Sequence, residues 1–444
     1  MTKCIAKRLL ACAAAIALMC TTAQAKNVTF TLTNLVSDLS GVAQIVDTNL
    51  VDAWGISSGT YFTFSTTDFT TNRTTNYSLI TNIVIKSKHK TNIVVTTNFS
   101  SPPTIITNIL ADTITNSFFW IAANGTDKAL VYAVTNDALG NPTVIKQGLE
   151  VTNIGAFPSG LLANNFQHIN TNSFTTNNFF FVSEDGAISG WSPGNNPFNA
   201  AIILFQTTNV YKGIAGATTV SNGPVILAAN FSEGTVDMYA ATNLISATNS
   251  LGFTNSLGFT NSIGPTGFVL IGQFADPKAP IGYAPFNIQN VDGVVLVTFA
   301  KQDSLKIDDV AGAGNGLIDI FNPDVEKFYR FATGTGAGGK EPNLNSPYGL
   351  ALAPSSWGNL AGKLLVANFG DGTITAFNDN GKSQAKLQNG NAQTIVIDGI
   401  WGLTFGNGGT AGDADYLYFT AGPNGESNGL FGVLMPPPSG KKHK

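Results

Sequence analysis

The sequence predicts an all-β fold, a six-bladed β-propeller with Thr/Asn-rich loop insertions, and three observations lead there. One strand–turn–strand phrase is restated six times along the chain. Its apolar residues alternate around Gly-bearing turns, with no helical period between copies. The composition also suits strands and turns. Charged residues are only 11 % of the 444, and the deficit is filled by Thr, Asn, Ser and 47 Gly. Thr fits a pleated surface, while Asn and Gly tolerate turn conformations.

The first half of the phrase is an aromatic residue or Pro, then Gly, then an apolar run. It reads Ala53-Trp54-Gly55-Ile56, Phe157-Pro158-Ser159-Gly160-Leu161 and Tyr211-Lys212-Gly213-Ile214. It returns as Ala284-Pro285-Phe286-Asn287-Ile288, Ser346-Pro347-Tyr348-Gly349-Leu350 and Ile400-Trp401-Gly402-Leu403, with Asn287 replacing Gly in the fourth copy. The second half is a hairpin. Phe181 to Trp191, Leu227 to Tyr239 and Val366 to Phe377 show it most clearly, around Asp185-Gly186, Glu233-Gly234 and Asp371-Gly372. Trp120 to Tyr132, Val297 to Phe321 and Phe419 to Phe431 complete the set. A sandwich would supply many short strands without restating one motif, so radial repetition is the better solution.

Copies are unevenly spaced, and the surplus falls in insertions. Thr-Asn recurs between residues 33 and 261 and never afterwards. Its densest stretch, 58–117, reads as a low-complexity insertion within blade one, with a ragged hairpin or two inside it. Leu251 to Ser262 repeats Leu-Gly-Phe-Thr-Asn-Ser in tandem and reads as a duplicated loop. A single propeller domain is expected over 26–435, followed by a Pro/Lys-rich tail over 436–444. Alternation of Val28, Phe30 and Leu32 predicts a strand over 28–36 that closes the ring against the last blade, near 415–434.

Residues 1–25 read as a signal peptide. Lys3, Lys7 and Arg8 form a basic start, Leu9 to Met19 an apolar run, and Ala23-Gln24-Ala25 a small-x-small cleavage pattern. The apolar run is too short to span a bilayer, which takes about 20 residues. The mature chain is thus expected to be exported, periplasmic or extracellular, with no transmembrane segment. Cys4, Cys12 and Cys20 are the only cysteines and all lie in that segment. No disulfide framework or thiolate chemistry remains after cleavage. With a formal charge of −4 and no basic stripe, the chain is a poor nucleic-acid binder. Lys441-Lys442-His443-Lys444 is a solvated basic tail.

Longer phrases bring a resemblance into view. Asn34-Leu35-Val36-Ser37-Asp38, Glu184 to Trp191, Ala300-Lys301-Gln302-Asp303, Asp308 to Gly316, Leu403 to Gly409 and Tyr418 to Glu426 carry it. They resemble an uncharacterised family of secreted bacterial β-propeller proteins over most of residues 30–434. The resemblance implies a six-bladed propeller of the broad sugar-lactonase and NHL-like type, and no particular activity. A Pro-Glu-Pro sorting tail often found in the family is replaced here by Pro436-Pro437-Pro438 and lysines.

Little catalytic chemistry is legible. Histidine is limited to His89, His168 and His443, too few and too scattered for a zinc site or a Ser-His-Asp triad. No phosphate cradle appears in strand-to-helix context. Oxygen chemistry remains. Asp303, Asp308 and Asp309 share one loop and are candidate ligands for a hard cation, Ca²⁺ or another divalent ion. Glu184, Asp185, Asn230, Asn368 and Asp371 recur at what look like corresponding places in three blades, where radial repetition could gather them on the axis. Lactonase-like propellers use Glu, Asn and Asp in this way; turn support is the plainer role. Trp54, Trp191, Tyr348 and Trp401 begin or end equivalent strands; blade packing explains them first, and a carbohydrate-stacking rim is the alternative. The expected function is a non-catalytic binding or scaffold module for a small-molecule, glycan or protein ligand. The alternative is a divalent-metal-dependent, lactonase-like hydrolase using the Glu/Asp/Asn set at the central channel.

Overall fold

Alternating apolar residues become strands, and the strands fall into six radial sheets. The computed structural model describes residues 28–60, 92–96, 106–110, 117–164, 177–241, 268–334 and 343–437. Blade one contains Ala53–Thr60, Ser117–Ala123, Lys128–Asn136 and Pro142–Val151, from the axis outward. Blade two contains Pro158–Ala163, Phe179–Ser183, Ala187–Trp191 and Ala201–Phe205. Blade three contains Tyr211–Thr219, Gly223–Asn230, Thr235–Ala241 and Phe268–Phe274. Blade four contains Tyr283–Val291, Val294–Lys301, Leu317–Asn322 and Lys327–Thr333. Blade five contains Pro347–Leu352, Leu364–Asn368, Thr373–Phe377 and Ser383–Lys386.

Blade six is completed by both ends of the described chain. Ile400–Phe405, Leu417–Ala421 and Leu430–Met435 are followed outward by Thr31–Ser37, with Thr31 opposite Met435 and Ser37 opposite Leu430. This is the pairing expected of 28–36. Ile45–Val46 adds a short parallel fifth strand. Closure hides the edges that an open ring would expose to another chain. Upstream of that strand, Phe30 packs on Trp357 of blade five with ring centroids 4.5 Å apart.

The supposed insertion is shorter than 58–117. Ser58, Gly59 and Thr60 pair with Phe119, Phe118 and Ser117, so both ends belong to blade one. Between them, Asn92–Thr96 and Ile106–Leu110 form a two-stranded antiparallel sheet. Residues 1–25, the tandem loop 251–262 and Lys441 to Lys444 lie outside the described residues. No helix among the described residues is long and apolar enough to cross a membrane.

The repeated Gly explains how the blades meet. A Cβ on Gly160 would lie 3.1 Å from the Gly213 Cα, and one on Gly349 only 2.4 Å from the Trp401 carbonyl oxygen of the next blade. The inner strands therefore touch backbone to backbone, and only a residue without a side chain fits. Asn287, the exception, donates from Nδ2 to the Tyr348 carbonyl at 2.9 Å and so bridges the same gap with an amide.

Candidate functional site

The residue before each of these positions projects into the hub: Trp54, Ser159, Lys212, Phe286, Tyr348 and Trp401. Four are aromatic and plug the channel. Trp54 and Phe369 both stack on Trp401, at 3.8 and 3.9 Å, and Phe286 and Tyr348 belong to the same cluster. The Tyr348 hydroxyl crosses the axis to donate to the Ser159 and Lys212 carbonyls at 2.9 and 2.7 Å. Blade five is thereby tied to blades two and three through the middle of the ring.

Lys212 is the exception to the aromatic set. It is completely buried, with its ammonium 4.8 Å from the Trp54 ring. Nζ pairs with the Glu184 carboxylate and, at 3.1 Å, with Asp308. Burial works to lower the Lys212 pKa, but the two carboxylates win and hold it above the ordinary lysine value.

A second layer lies above the plug, where each second strand ends. The residues just beyond those strands are Asn124, Glu184, Phe231, Gln302, Phe369 and Gly422. Asn124 donates to Glu184 at 3.0 Å. Further carboxyls arrive from the lead-in to blade one and from two loops. Burial, reinforced by Glu426, pushes the Asp52 carboxyl up to about 8. Burial, then Asp308, raises Glu426 to about 7 against the pull of Lys212. Burial raises Asp309 to about 6, opposed by the Ser346 hydroxyl that donates to it. The Trp54 and Trp401 indole N–H groups lie beside Asp52 and draw its pKa down. None of the three is well paired: Asp52 Oδ1, Trp54 Nε1 and Trp401 Nε1 are all buried without a hydrogen-bond partner. Glu426 ends a run of three left-handed residues, Asn424, Gly425 and Glu426. Strained backbone of this kind concentrates at functional sites.

Of the residues singled out from sequence, Glu184, Asp308 and Asp309 meet at this mouth and the others do not. Asn230 and Asn368 are one position out of register. They pair with Tyr211 and Pro347 as Ser183 pairs with Pro158, so Glu184 corresponds to Phe231 and Phe369. A one-residue slip turns a strand side chain to the other face. Asn230 accordingly donates to buried Asp237 at 2.9 Å, and Asn368 to Thr375 at 3.1 Å. Asp185, Asp303 and Asp371 secure turns, accepting from the amides of Ala187, Ile307 and Thr373. The turn after Ser183 is one residue shorter than those after Asn230 and Asn368, so equal distances from the turn glycines do not mark equal places in the blades.

Lys212, Asp52, Glu426 and Asn124 were missed. Lys212 did leave a signal, as the one charge at the position before the repeated Gly. Asp52 left a weaker one, immediately ahead of Trp54-Gly55. Among the described residues, no three His, Cys, Asp or Glu side chains are arranged to hold a metal ion.

No family model matches the chain. Uncharacterized protein R648 of Acanthamoeba polyphaga mimivirus is 29 % identical over 326 residues, 71 % of either chain. Uncharacterized protein L690 of the same virus is 26 % identical over 333 residues, 72 % of this chain and 78 % of that one. Among solved structures, virginiamycin B lyase from Staphylococcus aureus is similar with a TM-score of 0.40 at 12 % identity, over 91 % of this chain and 99 % of that one. Regucalcin from Agrobacterium tumefaciens, a calcium-binding protein, gives 0.36 at 13 % identity, over 72 % and 86 %. The fold is a six-bladed β-propeller. The bacterial source that the resemblance implied is not supported, since these sequence relatives are viral.

Proposed function

We propose that the protein is a non-catalytic binding module whose acidic mouth takes an organic cation, an amine or a guanidine. The observation that carries this is the crowding of five carboxyl groups, Asp52, Glu184, Asp308, Asp309 and Glu426, near the buried ammonium of Lys212. One lysine pairs with two of them. The others are held toward their neutral forms by burial, at a cost to folding that packing alone does not call for. A cation bound among them would supply the donor that Asp52 Oδ1 lacks and let the acids ionise. Binding would then release protons, because the bound state favours the charged carboxylates. The signal-like residues 1–25 and the cysteine-free remainder fit an exported protein.

The test is calorimetric titration with n-butylammonium and with guanidinium at pH 7, in two buffers of different ionisation enthalpy. Saturable binding with a buffer-dependent enthalpy is expected, weakened at least about tenfold in an Asp52→Asn/Glu426→Gln variant. No heat from either probe would overturn the proposal.

A hydrolase is favoured by one observation. Glu426, raised to about 7 and lying beside the carboxyls of Glu184 and Asp308, is the kind of group that general acid–base chemistry uses. Ca²⁺ or another divalent ion would have to displace Lys212 from between Glu184 and Asp308. Lactone and ester hydrolysis, assayed with and without Ca²⁺ in wild type and Glu426→Gln, separates this from a binder: turnover lost in the variant would establish it.

A further inference from the structure

We infer that the cation the mouth receives is a lysine or arginine side chain presented by another polypeptide between apolar neighbours. This deepens the proposed cation site and rests on it. The additional observation is the rim. Exposed apolar side chains stand around the mouth, each tied through its backbone to a group of the site. Phe157 is 55 % exposed, and its carbonyl accepts the Glu184 amide at 3.0 Å. Leu305 is 73 % exposed and Ile307 is also exposed, both in the loop that delivers Asp308. Ile281 projects fully into solvent beside Gly282, whose carbonyl accepts the Gln302 amide at 2.7 Å.

These side chains are presented on ordered backbone. Phe157 has φ of 55°, an unfavourable conformation for a bulky residue, and is pinned there by Asp127, which accepts its amide at 2.7 Å. The Asp308 loop is closed on itself, since Asp303 accepts the Ile307 and Asp308 amides at 2.9 and 3.3 Å. At the other end of the ring, Leu139, Phe198 and Val220 are exposed in connections of three different blades, and the channel there is lined by no acidic or basic side chain. Scattered apolar residues call for no explanation, whereas apolar side chains around a charged centre can exclude water from an anchor bound there.

The two features suit one occupant. A free amine satisfies the carboxylates and leaves the rim wet. A Lys or Arg side chain carries its charge on a long alkyl stem, able to reach past Glu426 toward Asp52 while its backbone stays outside. Apolar residues flanking it would then cover Phe157, Leu305 and Ile307. Buried anchors surrounded by water-excluding contacts are how such interfaces concentrate their affinity.

The experiment titrates the full chain with three probes: n-butylammonium, acetyl-Gly-Lys-Gly-amide and acetyl-Leu-Lys-Phe-amide. The apolar-flanked peptide is expected to bind at least about tenfold tighter than the Gly-flanked one. Phe157→Ser/Leu305→Ser should erase that difference while leaving n-butylammonium unchanged. Asp52→Asn/Glu426→Gln should weaken all three, with its fold checked by circular dichroism. Equal affinity for the two peptides overturns the polypeptide inference and leaves the cation site standing. Equal binding when norleucine replaces the peptide lysine overturns it too, since the rim would then be acting alone. Silence from n-butylammonium together with the Gly-flanked peptide overturns the underlying site.

Discussion

The same six inner strands build both ends of the central channel, yet one end carries a cluster of charges and the other none. Below the aromatic plug lies a cavity of about 490 Å³ lined by the glycines of the ring, by Ser57, Ser58 and Thr404, and by Gln289 and Asn290, with no acidic or basic side chain. Its amides are already committed: Gln289 accepts the Leu350 amide at 3.3 Å and Asn290 donates to the Gly216 carbonyl at 2.8 Å. Above the plug, charges converge and Asp52 is left without a donor. The lower end is regular strand, where close backbone approach selects small residues. The upper end is where strands are entered and turned around, so loops of unequal length can each contribute a different side chain. Departures from the repeat therefore collect at one mouth.

Breaking that mouth should cost most at Lys212. Lys212→Met leaves Glu184 in a buried pair without its partner and should destabilise the fold by about 3–5 kcal/mol. Urea unfolding would measure it, and adding Glu184→Gln should recover part of the loss. Unchanged stability in Lys212→Met would mean that the ammonium balances no buried charge.

A pH series sharpens the contrast next. Asp52, ordinarily near 3.8, stays protonated in the folded state to about 8, so its contribution is complete below about pH 4 and fades as the pH rises toward 8. Glu426 and Asp309 act in the same direction over 4.5 to about 7 and 3.8 to about 6. Stability should therefore be greater at pH 5 than at pH 8. Asp52→Asn should shrink the difference by on the order of 2 kcal/mol. A wild-type curve that is flat or rises over this range would contradict the neutral state of Asp52.

Smaller effects belong to the frame and the lower end. Gly349→Ala forces a methyl against the Trp401 carbonyl and should cost about 1–3 kcal/mol, seen as a lower melting temperature. Ser57→Ala, in the uncharged cavity, should stay within about 0.5 kcal/mol and leave n-butylammonium binding untouched. Lost binding in Ser57→Ala would place the ligand at the wrong end.

Much of the architecture was legible because a propeller writes its geometry into every repeat. The six Gly-centred phrases mark the inner strands, and the alternation of Val28, Phe30 and Leu32 marks the closing strand. The site was legible only in part. Glu184, Asp308 and Asp309 stood out in the sequence as ligands for a cation, and the lysine that lies between two of them comes from a different blade. Asn230 and Asn368 read as counterparts of Glu184 that radial repetition could gather on the axis. In the structure Phe231 and Phe369 occupy the hub, and the amides turn into their blades.

By itself the sequence determined the fold, since strand period, turn chemistry and the need for glycine at close approach are local or repeat with the blade. It also determined that histidine and cysteine chemistry would be scarce. Which carboxyls share a mouth, which one stays neutral, and where the buried ammonium of Lys212 sits were decided only in three dimensions. Those properties depend on distance and desolvation between residues as far apart in sequence as Asp52 and Glu426, and no spacing along the chain encodes them.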